Sequence, residues 1–125
     1  MNHLQVYSTQ RYKPHTMEKE KIEHGVPFSF VDSVSYQSDG IVSKRIIQKE
    51  KGNITLFAFD QGQKLSEHTA PFDALVQVLQ GNAEIVIGGK PHQLTTGQSI
   101  IMPANISHAV NANEKFIMLL SMIRE

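Results

Sequence analysis

Gly62-Gln-Lys-Leu-Ser-Glu-His68-Thr-Ala70-Pro-Phe-Asp-Ala74-Leu-Val76-Gln-Val78-Leu-Gln-Gly81 is one of two stretches that decide the fold; Gly97-Gln-Ser-Ile-Ile-Met-Pro103-Ala-Asn105-Ile-Ser-His108-Ala-Val110 is the other. Each opens on a glycine, carries one histidine and alternates apolar with polar residues. Side chains along a strand alternate faces. If His68 points inward, so does Ala70, while Glu67 and Thr69 point out. The same parity sends Ala74, Val76 and Val78 inward, and Asp73 only if the preceding turn twists it in. His108 and Val110 share a face. Gly62, Gly81 and Gly97 fall at strand ends, where a sharp reversal excludes a Cβ. Pro103 fixes a bend and cannot donate to a ladder.

Working outward, the pattern is β from Val26 onward. Short runs rich in Val, Ile and Phe are punctuated by Gly, Asn, Asp and Pro. Strands are expected at Phe28–Val31, Ile41–Ile47, Ile54–Phe59, Ala74–Leu79, Ala83–Ile87, Ser99–Met102, Ser107–Val110 and Phe116–Ile123. Gln80-Gly81-Asn82 reads as the turn of a hairpin, and Gly88-Gly89 as a second tight turn. No segment holds a helical period for three turns. Many short strands with Gly-rich turns argue for a sandwich or small barrel. Ile54–Phe59 is apolar on both faces, so the face away from the core needs a cover. A second subunit packing sheet on sheet is the expected cover, making the protein a homodimer.

The chain has 125 residues, enough for one domain with a core. Residues 26–125 read as that domain. Residues 1–25 are a polar lead-in expected to be a mobile tail; a start at Met17 would make residues 1–16 an extension of the gene model. Twelve acidic and twelve basic residues leave a net charge of zero, so no field draws the chain to nucleic acid or an anionic membrane. Zero cysteines exclude disulfides, thiolate metal sites and thiol nucleophiles. The N-terminus has no apolar signal core, and Phe116–Ile123 is too short to span a bilayer, so a cytoplasmic protein is expected.

The two stretches resemble the paired motifs of the cupin superfamily, in the style of the small single-domain cupin-2 conserved-barrel proteins. The resemblance covers about Ile41 to Ile123. It implies an all-β double-stranded β-helix, an RmlC-like jelly-roll barrel with a ligand cavity at its mouth. In metal-binding members the first motif supplies two His and a Glu, and the second a third His. Here Ala70 stands at the second His position, Ala74 at the Glu position, and Asn105 where Gly is usual. His68 and His108 remain.

Three functions follow as alternatives. The first is a small-molecule-binding protein whose pocket is formed by His68, Ala70, Ala74, Val76, Val78, His108 and Val110, the two imidazoles being its polar handles. The second is a metal-dependent enzyme of isomerase, decarboxylase or dioxygenase type, with His68 and His108 weakly holding a divalent transition metal (Zn, Ni, Mn, Fe or Cu). A catalytic metal commonly takes three or more protein ligands, which Glu67 or Asp73 would have to complete. The third is a structural or oligomerisation module. His3, His15 and His24 are expected to be solvated, and His92 to lie on the outer surface. Met102, Met118 and Met122 are expected to fill core.

Overall fold

The computed structural model describes residues 21–125. The expectations for the earlier lead-in, including His3 and His15, lie outside the described residues. Eight strands follow in chain order: β1 (Ile41–Lys49), β2 (Gly52–Phe59), β3 (Lys64–His68), β4 (Asp73–Ile87), β5 (Lys90–Thr95), β6 (Ser99–Met102), β7 (His108–Asn111) and β8 (Phe116–Ile123). All the strand pairs are antiparallel.

β4 belongs to both halves of the fold. Its first part lies between β8 and β6, continuing through β8 to β2 and β1. Its second part lies between β5 and β7, continuing through β7 to β3. This corrects the expected hairpin over residues 74–87: the strand bends where a reversal was expected. The register slips between Val78 and Gln80, and Gly81 follows at φ +91°. Val78 and Ala83 are five residues apart, yet both are buried in the same core. Simple alternation forbids that, and the bulge permits it. Gly81 must be glycine for a second reason: a Cβ there would stand 2.5 Å from the Lys115 carbonyl oxygen.

The two halves curl over one interior. Phe57, Phe59, Val76, Val78, Ile85, Val110, Phe116 and Met118 are at most 2% exposed and form its centre. Phe59 stacks on Phe116 with ring centroids 4.6 Å apart. Among the described residues no helix is long and apolar enough to cross a membrane.

The expected strand at Phe28–Val31 is absent. Val31–Ser33 form one 3-10 turn, closed by Ser33 Oγ donating to the Ser29 carbonyl at 2.7 Å. Phe28 meets Phe30 edge-on, and Phe30, Val31, Val34 and Tyr36 pack on Leu56, Ala58, Ile117 and Leu119. These four lie on the outer face of the β1–β2–β8 side. The chain's own segment supplies cover for these four residues. Gln80 Nε2 donates to Tyr36 Oη at 2.9 Å and pins that segment in place. β3 and β5 were not expected as strands, because Lys64–His68 and Lys90–Thr95 each hold a single buried apolar side chain.

Candidate functional site

β3 and β7 pair so that His68 stands directly opposite His108. A bulge makes this happen. Leu65 faces the core opposite Val110, and plain alternation from Leu65 would turn Glu67 inward. One extra residue between Leu65 and His68 reverses the parity, so Glu67 is exposed and His68 faces its partner. The loop after β3 is tied to the β6–β7 bend by the Asn105 amide, which donates to the Ala70 carbonyl at 2.7 Å. Asn105 holds φ +65°, a left-handed conformation that asparagine tolerates better than most residues. That explains its place where glycine is usual.

The imidazoles meet edge to face, with centroids 4.2 Å apart and planes at 71°. Their Nε2 atoms are 3.0 Å apart. His68 Nδ1 lies 3.0 Å from the Ser66 carbonyl oxygen, and His108 Nδ1 lies 3.3 Å from that of Ile106. A carbonyl oxygen only accepts, so each of these contacts requires Nδ1 to carry the proton. Two neutral rings hold two protons, both then used on Nδ1. The two Nε2 atoms face each other within hydrogen-bond distance. That contact is satisfied by a third proton or by a Lewis acid between them.

His108 is 6% exposed, whereas His68 is half-buried. Burial pushes the pKa of His108 below the ordinary histidine value, and the neighbouring His68 pushes it the same way against the pull of the Ile106 carbonyl. His108 is therefore biased toward its neutral form. Ile87 on β4 stands opposite it and closes one flank with apolar surface.

The structure brings together some of the residues expected at the site and separates others. Ala74 is buried on the interior face, paired with Met102 on β6 and Met122 on β8. A methyl group and two thioether side chains thus lie side by side on that interior face. Ala70 is half-buried in the loop after β3. Val76, Val78 and Val110 lie deeper, at most 2% exposed, in the packed core with the phenylalanines. Asp73 is exposed, and its Oδ1 accepts from the Ala104 amide at 2.9 Å. Among the described residues no group of three His, Asp or Glu side chains is placed to hold a metal.

His92 corrects the sequence reading. It stands opposite Ile85, on the same face of β5 as the core residue Leu94, and is half-buried. Its Nδ1 is 3.3 Å from the Ile85 carbonyl. The tight turn at Gly88-Gly89 was a usable signal. A two-residue turn pairs Ile87 with Lys90, which places His92 opposite Ile85 and on its face.

A bent strand shared by two curled antiparallel halves, with a histidine pair on neighbouring strands, defines a jelly-roll barrel of the double-stranded β-helix class. The family model described as "Cupin domain" matches residues 55–123, and the chain belongs to that family. A conserved Streptococcus pyogenes protein of unknown function is 37% identical, with 84% of this chain and 92% of that one covered at a TM-score of 0.80. A cupin 2 conserved barrel domain protein from Leptotrichia buccalis is 42% identical over 78% of this chain, at a TM-score of 0.76. The match covers 47% of that longer protein. A cupin superfamily protein from Desulfitobacterium hafniense, 24% identical at a TM-score of 0.78 over 84% of this chain and 96% of its own, shares the fold. No curated protein matches.

The family's metal can be tested against the residues present. Two Nε2 atoms 3.0 Å apart suit adjacent positions on a transition ion, since nitrogen ligands at about 2.1 Å from a metal stand roughly 3 Å apart at right angles. His68 and His108 fit as two ligands. The remaining positions would fall to water or to oxygen atoms of a bound molecule, because Ala70 and Ala74 coordinate nothing.

Proposed function

We propose that the protein binds a small oxygen-bearing molecule at the His68–His108 pair, with Ala70, Ala74 and Met102 shaping the adjoining wall. The observation that supports this reading is the carbonyl anchoring of both Nδ1 atoms. It holds the two Nε2 atoms 3.0 Å apart, where a single electrophile can be shared between them. A hydroxyl or carboxylic acid proton supplies that electrophile directly. A divalent transition metal supplies it as a Lewis acid, and then presents its open positions to a carboxylate, enol or phenolate. A few convergent polar groups against an apolar wall are the usual make-up of a small-molecule site.

The chain's own residues set what such a ligand meets. Burial keeps His108 neutral, so it offers a lone pair at neutral pH. The half-buried ring of His68 is the member open to solvent. Ile87 and the core behind it exclude water from one side, which strengthens any polar contact made at the pair. With two protein ligands a metal is weakly held, and the metal-dependent enzyme reading stands second for that reason.

The test is a thermal-shift screen of small carboxylic acids, sugars and phenolics, with and without added Zn, Ni or Mn, on untagged protein. A saturating ligand at a hundred times its Kd adds about 2.7 kcal/mol to stability. Stabilisation that disappears in His68→Ala/His108→Ala supports the reading. Stabilisation retained in that variant places binding elsewhere and refutes it.

A further inference from the structure

The inner face of the barrel changes character along β1 and β2. Ile41, Phe57 and Phe59 are buried at one end, Ser43 and Thr55 are half-buried, and Arg45 is exposed. The register fixes which side Arg45 stands on. It pairs with Thr55, Thr55 with Leu120, and Leu120 with Val76, and directly paired residues share a face. Leu120 and Val76 belong to the interior, so Thr55 and Arg45 stand on the interior side. Lys44 points the other way and donates to the Ser33 carbonyl at 3.1 Å. Asn53 shares the face of Thr55, whose Oγ1 donates to Asn53 Oδ1 at 3.2 Å. Nδ2 is then the donor end of the Asn53 amide. This polar strip lies level with the histidine pair. β2 ends at Phe59 and β3 begins at Lys64 after a short turn in which the Gln63 amide donates to the Asp60 carbonyl. Thr55 lies four residues back from Phe59 and His68 four on from Lys64, so at about 3.3 Å per residue both stand roughly 13 Å from the turn. Among the described residues no strand places an Asp or Glu on the inner face: Glu67 is exposed, and Asp73 lies outside and accepts from the Ala104 amide.

We propose that Arg45 is the specificity-determining residue of the ligand site and that the ligand is a small hydroxy-carboxylate. Its hydroxyl donates to the His68–His108 pair, and its carboxylate lies on the Arg45 guanidinium with Asn53 Nδ2 as a second donor. This rests on the reading of the histidine pair as a ligand site and adds the charge and the length of what binds there. A guanidinium presents a planar fork of N–H donors that matches a carboxylate two bonds at a time. With no acidic side chain on the same face, the carboxylate of a ligand is the counter-charge this cation can meet inside the barrel. Leu120 and Met122 flank the strip with apolar surface, which strengthens such a contact. The fold also limits length. Facing sheets stand about 10 Å apart, and an extended arginine spans much of that gap, leaving room for a chain of a few carbons.

Calorimetric titration of the untagged, metal-free full chain with lactate, malate, gluconate and salicylate, each beside its methyl ester, tests this. At least one acid is expected to bind, with its ester at least tenfold weaker. Arg45→Gln should weaken that acid at least tenfold while leaving the ester and the ligand-free thermal transition unchanged, and Arg45→Lys should restore part of the loss. His68→Ala/His108→Ala should weaken acid and ester alike. An acid affinity unchanged in Arg45→Gln but lost in the histidine variant overturns the role of Arg45 and leaves the histidine reading standing. Loss in Arg45→Gln with full binding in the histidine variant overturns the shared site and the histidine reading with it. A wild type that binds none of the four acids overturns the proposal.

Discussion

Replacing Gly81 with alanine tests the bend in β4 that lets one strand serve both halves of the barrel. Two costs are separable. The backbone at φ +91° disfavours any Cβ, by about 1–2 kcal/mol. The new methyl would also stand 2.5 Å from the Lys115 carbonyl oxygen and 3.0 Å from Phe116 Cβ. The carbonyl is backbone of the turn into β8, so it yields only if that strand shifts, and overpacking of this kind costs about 1–3 kcal/mol. Gly62 supplies the control: φ is +90°, and an added Cβ would meet nothing within 4 Å. Gly62→Ala should therefore lose only the backbone term. Urea unfolding of the three proteins should rank wild type, Gly62→Ala, Gly81→Ala, with the last about 2–5 kcal/mol below the first. At roughly 4–8 °C per kcal/mol for a domain of this size, the gap also shows in Tm. Equal losses at the two glycines would refute the close approach of β4 to the β8 turn, and with it the bend as described.

Three further outcomes follow from the same packing. Phe116→Ala removes a fully buried ring stacked on Phe59 and should cost about 3–5 kcal/mol by chemical denaturation. The depressed pKa of His108 means that the unfolded chain, titrating near 6.5, binds the proton more readily than the folded one. Stability should hold above pH 6.5 or so and fall as pH drops below it through the lowered folded value, at up to about 1.4 kcal/mol per pH unit; the urea midpoint of His108→Asn should show a shallower decline. Ala70→His with Ala74→Glu should tighten Zn or Ni binding by at least tenfold in a chelator competition, and unchanged affinity would show that neither position faces the imidazole pair.

How far the sequence could be read depended on where each strand's energy lies. β2 and β8 were legible nearly to the residue because they are apolar on both faces, and β6 because a glycine and a proline bracket it. β3 and β5 escaped notice because one buried leucine each, Leu65 and Leu94, carries their packing while the rest meets solvent. The bend at Gly81 and the expected hairpin have the same local composition. What separates them is the long-range pairing of β4 with β8 on one side of the glycine and with β5 and β7 on the other. The cover over Leu56 and Leu119 comes from residues 30–36, more than fifteen positions earlier, and no periodicity announces such a contact.

The site divides in the same way. The resemblance of their two stretches to the paired cupin motifs singled out His68 and His108 as one pair. It could not show the bulge that turns Glu67 outward, nor the carbonyl anchors at Ser66 and Ile106 that fix both rings. Those anchors are backbone atoms, which carry no residue signature. They are also what fixes the orientation of the two rings toward each other.

Long-range nitrogen–proton correlation spectra of the two imidazoles test that point most directly. At pH 7.5, without ligand or metal, the account predicts Nδ1–H tautomers for both His68 and His108. Addition of a stabilising acid or of Zn should shift both Nε2 resonances together at a single stoichiometry. Nε2–H tautomers in the free protein, or Nε2 shifts that occur in one ring without the other, would contradict it.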